Sequence, residues 1–149
     1  MHHRWMIINM AVFDLDKANE ILQSGFAPWV LDLGLSVEAV SEKSATLLMP
    51  YSDRIRRSGD IVCGQSIMAL VDTAAVFAVI AAIGRLRPLT TVDQSCHFLK
   101  PGLKVDHLAA AHVMRLGRNM AFARVDVYPV GNQDTPVAAA QVACALLPE

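Results

Sequence analysis

The sequence predicts an α+β domain in which a curved antiparallel sheet wraps around one long central helix. Three observations lead there. Segment 64–84, GQSIMALVDTAAVFAVIAAIG, is apolar nearly all round, as suits a helix buried on every side. Two strand-like segments precede it and four follow, the latter joined by short turns. The chain has 149 residues, 54% of them hydrophobic, enough to fill one core. A single domain is therefore expected over residues 1–149, with 1–27 as an N-terminal extension carrying a short helix.

Taken in order, residues 16–23 combine a capping residue with Ile21 and Leu22 and predict a brief amphipathic helix that Gly25 ends. Residues 33–40 and 44–49 are rich in apolar and β-branched types around the turn-like Ser41, Glu42 and Lys43, which predicts a hairpin closed by Pro50. Residues 51–60 are polar, basic and loop-like. The long helix stops at Gly84, before Arg85, Leu86, Arg87 and Pro88. Strands follow over 89–99, 105–116, 120–130 and 136–147, punctuated by Lys100-Pro101-Gly102, Gly117-Arg118-Asn119 and Gly131-Asn132. In the third of these, Ala123, Val125 and Val127 alternate with Arg124, Asp126 and Tyr128, giving one packed and one wet face.

A run of about 20 apolar residues also meets the length a bilayer requires. Against that stand Asp72 near its midpoint, Gln65 and Ser66 near its start, and the alternating strands beyond. The formal net charge of −1 gives no electrostatic basis for nucleic acid or an anionic membrane as a bulk partner. Cys63, Cys96 and Cys144 are odd in number and lack CxxC spacing, which suggests reduced thiols and a cytoplasmic location. The N-terminus has too short an apolar run and too early an acid for a secretory signal, and His2 and His3 read as a polar start.

Asp72 is the informative residue. Removing a carboxylate from water costs roughly several kcal/mol unless hydrogen bonds or a raised pKa relieve it. The plain explanation is a carboxylate that caps a loop or pairs with an arginine; the other is chemistry.

The segment Cys63-Gly64-Gln65-Ser66-Ile67-Met68-Ala69-Leu70-Val71-Asp72-Thr73-Ala74, the strand from Thr91 to Gly102 and the later Gly117-Arg118-Asn119-Met120-Ala121-Phe122 resemble hot-dog-fold acyl-CoA thioesterases of the phenylacetate-degradation (PaaI-like) type. The resemblance covers about residues 28–147. In that family His-Gly-Gly opens the central helix and an acid lies nine residues after the His, which places Cys63, Gly64 and Gln65 opposite those three letters and Asp72 opposite the acid. The family's Asn or Gln, fifteen residues before the acid, falls on Arg57. Thr91 stands where several members carry a Ser or Thr that assists the attacking water.

The chemistry can also be argued from the residues. Thioester hydrolysis needs a donor for the developing oxyanion and a carboxylate that attacks or activates water. A helix N-terminus supplies the donor, and Gly64 leaves its N–H unobstructed. Asp72 lies eight residues further, about 12 Å along the axis, so one helix cannot bring both groups to one carbonyl. Two antiparallel helices from two subunits can, which predicts a homodimer with shared sites; the resemblance agrees, and a dimer of dimers would fit it too.

Among the remaining candidates, Thr73 either lines the substrate pocket or bonds back to a helical carbonyl. Thr91 is a water-assisting hydroxyl or an ordinary strand residue. Cys63 is a nucleophile at a helix start or a small packing substitute for His. Gln65, Arg57 and Arg118, with Arg54 and Arg56, are candidates for binding substrate or the phosphates of coenzyme A, or are solvated charges. His97, His107 and His112 lack metal spacing, so no metal or cofactor is expected beyond CoA within the substrate. Acyl-CoA hydrolysis is the expected activity. A non-catalytic acyl-CoA-binding module is the alternative, and a dehydratase or hydratase would generally want a His near the helix.

Overall fold

The computed structural model describes residues 13–149; the expectations for His2, His3 and a leader segment lie outside the described residues. In chain order the elements are α1 (Leu15–Gly25), α2 (Pro28–Leu31), β1 (Ser36–Val40), β2 (Ser44–Met49), a 3-10 turn (Asp53–Ile55), β3 (Arg56–Arg57), β4 (Ile61–Val62), α3 (Gly64–Ile83), β5 (Leu89–Phe98), β6 (His107–Leu116), β7 (Met120–Pro129) and β8 (Ala138–Leu146). The main sheet has six strands in the order β1-β2-β6-β7-β8-β5, every neighbour antiparallel. This is the hot-dog architecture: the sheet curls around α3, whose apolar side chains fill the concave face.

Helix α3 is long and apolar enough to cross a bilayer, but here it is mostly buried as the core helix of a globular fold. Gly84 ends it in the left-handed region (φ 89°), where its N–H caps the Ile80 carbonyl. The sheet can approach closely because its inner face is built from small residues. Ala45, Ala111, Val125 and Ala140 form one row across four strands and Cys96 extends it onto β5; Leu47, Ala109, Val127, Ala138 and Phe98 form another. The larger volume comes from the helix, where Phe77, Leu70 and Val71 are fully buried. Truncating Phe77 to Ala would cost about 3–5 kcal/mol.

The N-terminal helix begins at Leu15 because the Asp14 carboxylate caps the Lys17 N–H. It packs on the sheet rather than hanging from it. Asn19 exchanges hydrogen bonds with both backbone groups of Val37 on β1, and Ala18, Ile21 and Leu22 join the core. Phe26 stacks on Phe77 at 5.5 Å.

Three local features depart from the sequence expectation. The first strand starts at Ser36, not residue 33, because Pro28 opens a helical turn that Asp32 N–H closes on the Pro28 carbonyl. Residues 51–60 are not plain loop: a two-stranded ribbon of β3 and β4 forms beside the 3-10 turn. In β5, Thr91 pairs with Cys144 and Asp93 with Ala143, so Val92 is an extra, bulged residue.

Candidate active site

The bulge decides which side chains meet the helix. On a regular strand Thr91 and Gln94 would face opposite ways; with both Val92 and Asp93 turned outward and exposed, Leu89 and Thr91 share the inner face with Gln94 and Cys96. The helix presents Gly64, Met68 and Asp72 at four-residue spacing, one stripe along its surface. The two stripes run against each other. Thr91 Oγ1 donates to Asp72 Oδ1 at 2.6 Å, Gln94 Nε2 donates to the Met68 carbonyl at 3.1 Å, and the Phe98 ring lies against Gly64.

Asp72 is half-buried, and among the described residues no Lys or Arg lies within ion-pair distance of it. Its company is Thr91 and, behind that, Cys144, which is fully buried and paired with Thr91 across the strands. Burial pushes the Cys144 thiol up and the nearby Asp72 charge adds to that, while the Thr91 hydroxyl pulls the other way. Asp72 and Thr91 open onto a groove of about 500 Å³.

Gly64 lies in a separate groove of about 390 Å³ that contains neither Asp72 nor Thr91. A Cβ at Gly64 would come within 3.3 Å of the Phe98 ring, so the helix start has no room for a side chain unless that ring moves. Among the described residues no acceptor is assigned to the N–H of Gly64, as expected for the first residue of a helix. Arg57 and Lys100 flank this groove. Arg54 pairs with Asp32, and Arg56 with Asp53 and Asp60, whereas Arg57 donates only to the Ser58 carbonyl. The basic loop thus leaves one arginine without a carboxylate among the described residues, and it is the one beside Gly64.

Other candidates fall elsewhere. Thr73 is 3% exposed and its hydroxyl donates to the Ala69 carbonyl at 2.7 Å, so it back-bonds within the helix instead of lining either groove. Cys63 is the half-buried residue before the helix; its carbonyl accepts from Ser66 Oγ at 2.8 Å, and its thiol makes no capping bond. Gln65 is exposed on the first helical turn. Arg118 sits in the exposed β6–β7 turn and lines neither groove. Gln94, Phe98 and Lys100 were not singled out from the sequence. Their signal was Lys100-Pro101-Gly102 ending a strand aimed at the helix start, legible only once the bulge fixes which residues face inward.

Comparison with known proteins agrees with this fold. The thioesterase superfamily model matches residues 60–135, the span from β4 through β7. A Halobacterium salinarum protein described as an esterase is 31% identical over 129 residues, covering 79% of this chain and 82% of the relative. A thioesterase-like structure from Silicibacter sp. TM1040 superposes with a TM-score of 0.81 at 27% identity, covering 93% of this chain and 96% of the other. The Escherichia coli PaaI protein of the phenylacetic acid degradation operon shares the fold, with a TM-score of 0.76 at 18% identity over 90% of this chain and 96% of its own. On the strength of the model match and the Halobacterium relative, the chain belongs to the thioesterase superfamily, a class whose chemistry is thioester hydrolysis.

Proposed function

We propose that the protein hydrolyses acyl-CoA thioesters at sites shared by two subunits. Asp72 is the general base or nucleophile, Thr91 orients it, and the partner's Gly64 N–H receives the developing oxyanion. In the general-base route, Asp72 takes a proton from water as the oxygen attacks the carbonyl carbon. The tetrahedral intermediate then expels the CoA thiolate, which is reprotonated to the free thiol, leaving a carboxylic acid. The observation that carries the proposal is the Asp72 carboxylate, set in an apolar helix without a cation, tied to Thr91 at 2.6 Å and open to a groove.

Two observations support the shared site. Asp72 and Gly64 lie about 12 Å apart along the helix and in different grooves. Strand β5 is a ten-residue sheet edge with Val92 and Phe98 more than half or half exposed, an edge that calls for a second chain. Arg57 and Lys100 suit the phosphates of CoA. The proposal uses no metal or cofactor beyond CoA as part of the substrate, and a cytoplasmic location goes with it, as three free cysteines suit a reducing compartment.

A non-catalytic acyl-CoA-binding module is the second reading, favoured by the Phe98 ring over Gly64 and by Cys63 and Gln65 beside it. Thiol release from an acyl-CoA panel separates the two. Turnover by the wild type that Asp72→Asn abolishes supports hydrolysis; tight acyl-CoA binding without turnover of any substrate supports the module.

A further inference from the structure

Helix α3 is packed against hydrocarbon along most of its length, and apolar contact has no direction. Its finer orientation therefore falls to the hydrogen bonds that reach it from the sheet. Among the described residues two side-chain bonds do so, one from Thr91 and one from Gln94. Both donors stand on β5, on either side of the Val92 bulge, and both acceptors lie on the single helical turn from Met68 to Asp72.

The two bonds take hold of different parts of that turn. Thr91 holds the Asp72 side chain, whereas Gln94 Nε2 donates to the Met68 carbonyl at 3.1 Å, the same carbonyl to which the Asp72 N–H donates within the helix. Asp72 is thus fixed at its carboxylate and, one hydrogen bond removed, at its backbone. The Met68 oxygen already has its helical partner, so Gln94 takes the second lone pair and relieves no unsatisfied group. Gln94 is half-buried and lines neither the Asp72 groove nor the Gly64 groove, which sets it apart from the residues that would touch substrate.

Resting on the hydrolase reading above, we infer that Gln94 is a positioning residue: by holding the Met68 carbonyl it sets the rotation of the turn that carries Asp72, and so the angle at which the carboxylate meets Thr91 and the attacking water. Reaction rate depends steeply on that alignment. The bulge in β5 is what makes the double grip possible, since a regular strand could offer the helix Thr91 or Gln94 but not both.

The test is Gln94→Met, which keeps the length and much of the volume of the side chain and removes the donor. With acyl-CoA substrates its kcat is expected to fall about tenfold, while KM stays within about twofold and the melting temperature within about 3 °C. Combined with Thr91→Val, the loss should be smaller than the product of the two separate losses, because both changes release the same carboxylate. Wild-type kcat in Gln94→Met, a rise in KM alone, or a fully multiplicative double loss overturns the inference. A second readout needs no turnover. Three-bond couplings to the Asp72 Cγ, measured by NMR on the full chain, report whether that side chain keeps one χ1 rotamer. A single rotamer in the wild type that becomes averaged or changed in Gln94→Met upholds the positioning role even if no acyl-CoA is hydrolysed, in which case the hydrolase reading alone falls. Identical couplings in the two proteins overturn the positioning role itself.

Discussion

Thr91 and Asp72 meet at 2.6 Å from two different kinds of element, a sheet-edge strand and the middle of the core helix. The hydroxyl donates, so it fixes one carboxylate oxygen and leaves the other for water. That division of labour makes the hydroxyl, rather than the bulk of the side chain, the quantity to vary.

Thr91→Val, which keeps shape and removes the donor, is expected to lower kcat by about tenfold to a hundredfold with little change in KM, whereas Thr91→Ser stays within about threefold. Steady-state thiol release on one acyl-CoA measures both. A Thr91→Val enzyme with wild-type kcat would remove the hydroxyl from the mechanism.

Shared sites make a sharper demand. Gly64→Val blocks the helix start beneath Phe98 and Asp72→Ala removes the acid, so each homodimer should be inactive. Refolding the two together should restore about a quarter of wild-type activity, since half of the dimers are mixed and each mixed dimer has one intact site of two. Absence of recovery in mass-verified heterodimers rules out a site built from both chains.

The contact between Gly64 and Phe98 can be probed alone. Gly64→Ala places a methyl 3.3 Å from the Phe98 ring, tighter than ordinary contact, so the ring has to give by a few tenths of an ångström. Thermal stability should change by less than about 1 kcal/mol, while kcat/KM falls about tenfold as the donor is crowded. Adding Phe98→Ala should recover part of that loss, which a melting curve and a rate measurement together establish.

His107 makes stability depend on pH in the mildly acidic range. His107 is 0% exposed, neither ring nitrogen has a hydrogen-bond partner among the described residues, and the ring lies against Gly102. Burial pushes its pKa below the usual 6.5, against a smaller opposing pull from the Val105 backbone and Asp106. The imidazole is therefore neutral when folded. Above pH 6.5 neither state holds the extra proton; below it the unfolded chain does and the folded chain does not, so stability falls as pH drops from 6.5 toward the folded pKa. This group contributes a slope of at most about 1.4 kcal/mol per pH unit. Urea unfolding between neutral and mildly acidic pH should show that slope in the wild type and a shallower one in His107→Met.

The long elements were legible in the sequence because their periodicity is long. A mostly apolar run of 20 residues between Cys63 and Gly84 reads as one long helix, and the alternation of Ala123, Val125 and Val127 fixes the inner face of β7. The two-residue strands Arg56–Arg57 and Ile61–Val62 were not, since two residues carry no period. Asp72 stood out as a charge in an apolar run, but Gln94 and Phe98 did not, because the bulge at Val92 changes which residues of β5 face inward and no residue type announces it. The partnering of Thr73 was equally invisible: a back-bonded and a pocket-lining threonine look the same in one dimension.

The sheet edge that carries Thr91 has a practical corollary. One side of β5 pairs with β8, and the other leaves its backbone donors and acceptors to whatever comes next. When a second subunit occupies that side, it stiffens the very strand that aims the hydroxyl at Asp72. Specific activity would then decline on dilution before any loss of folded protein, and assays run at trace enzyme would understate the rate in a way that added carrier protein could not correct.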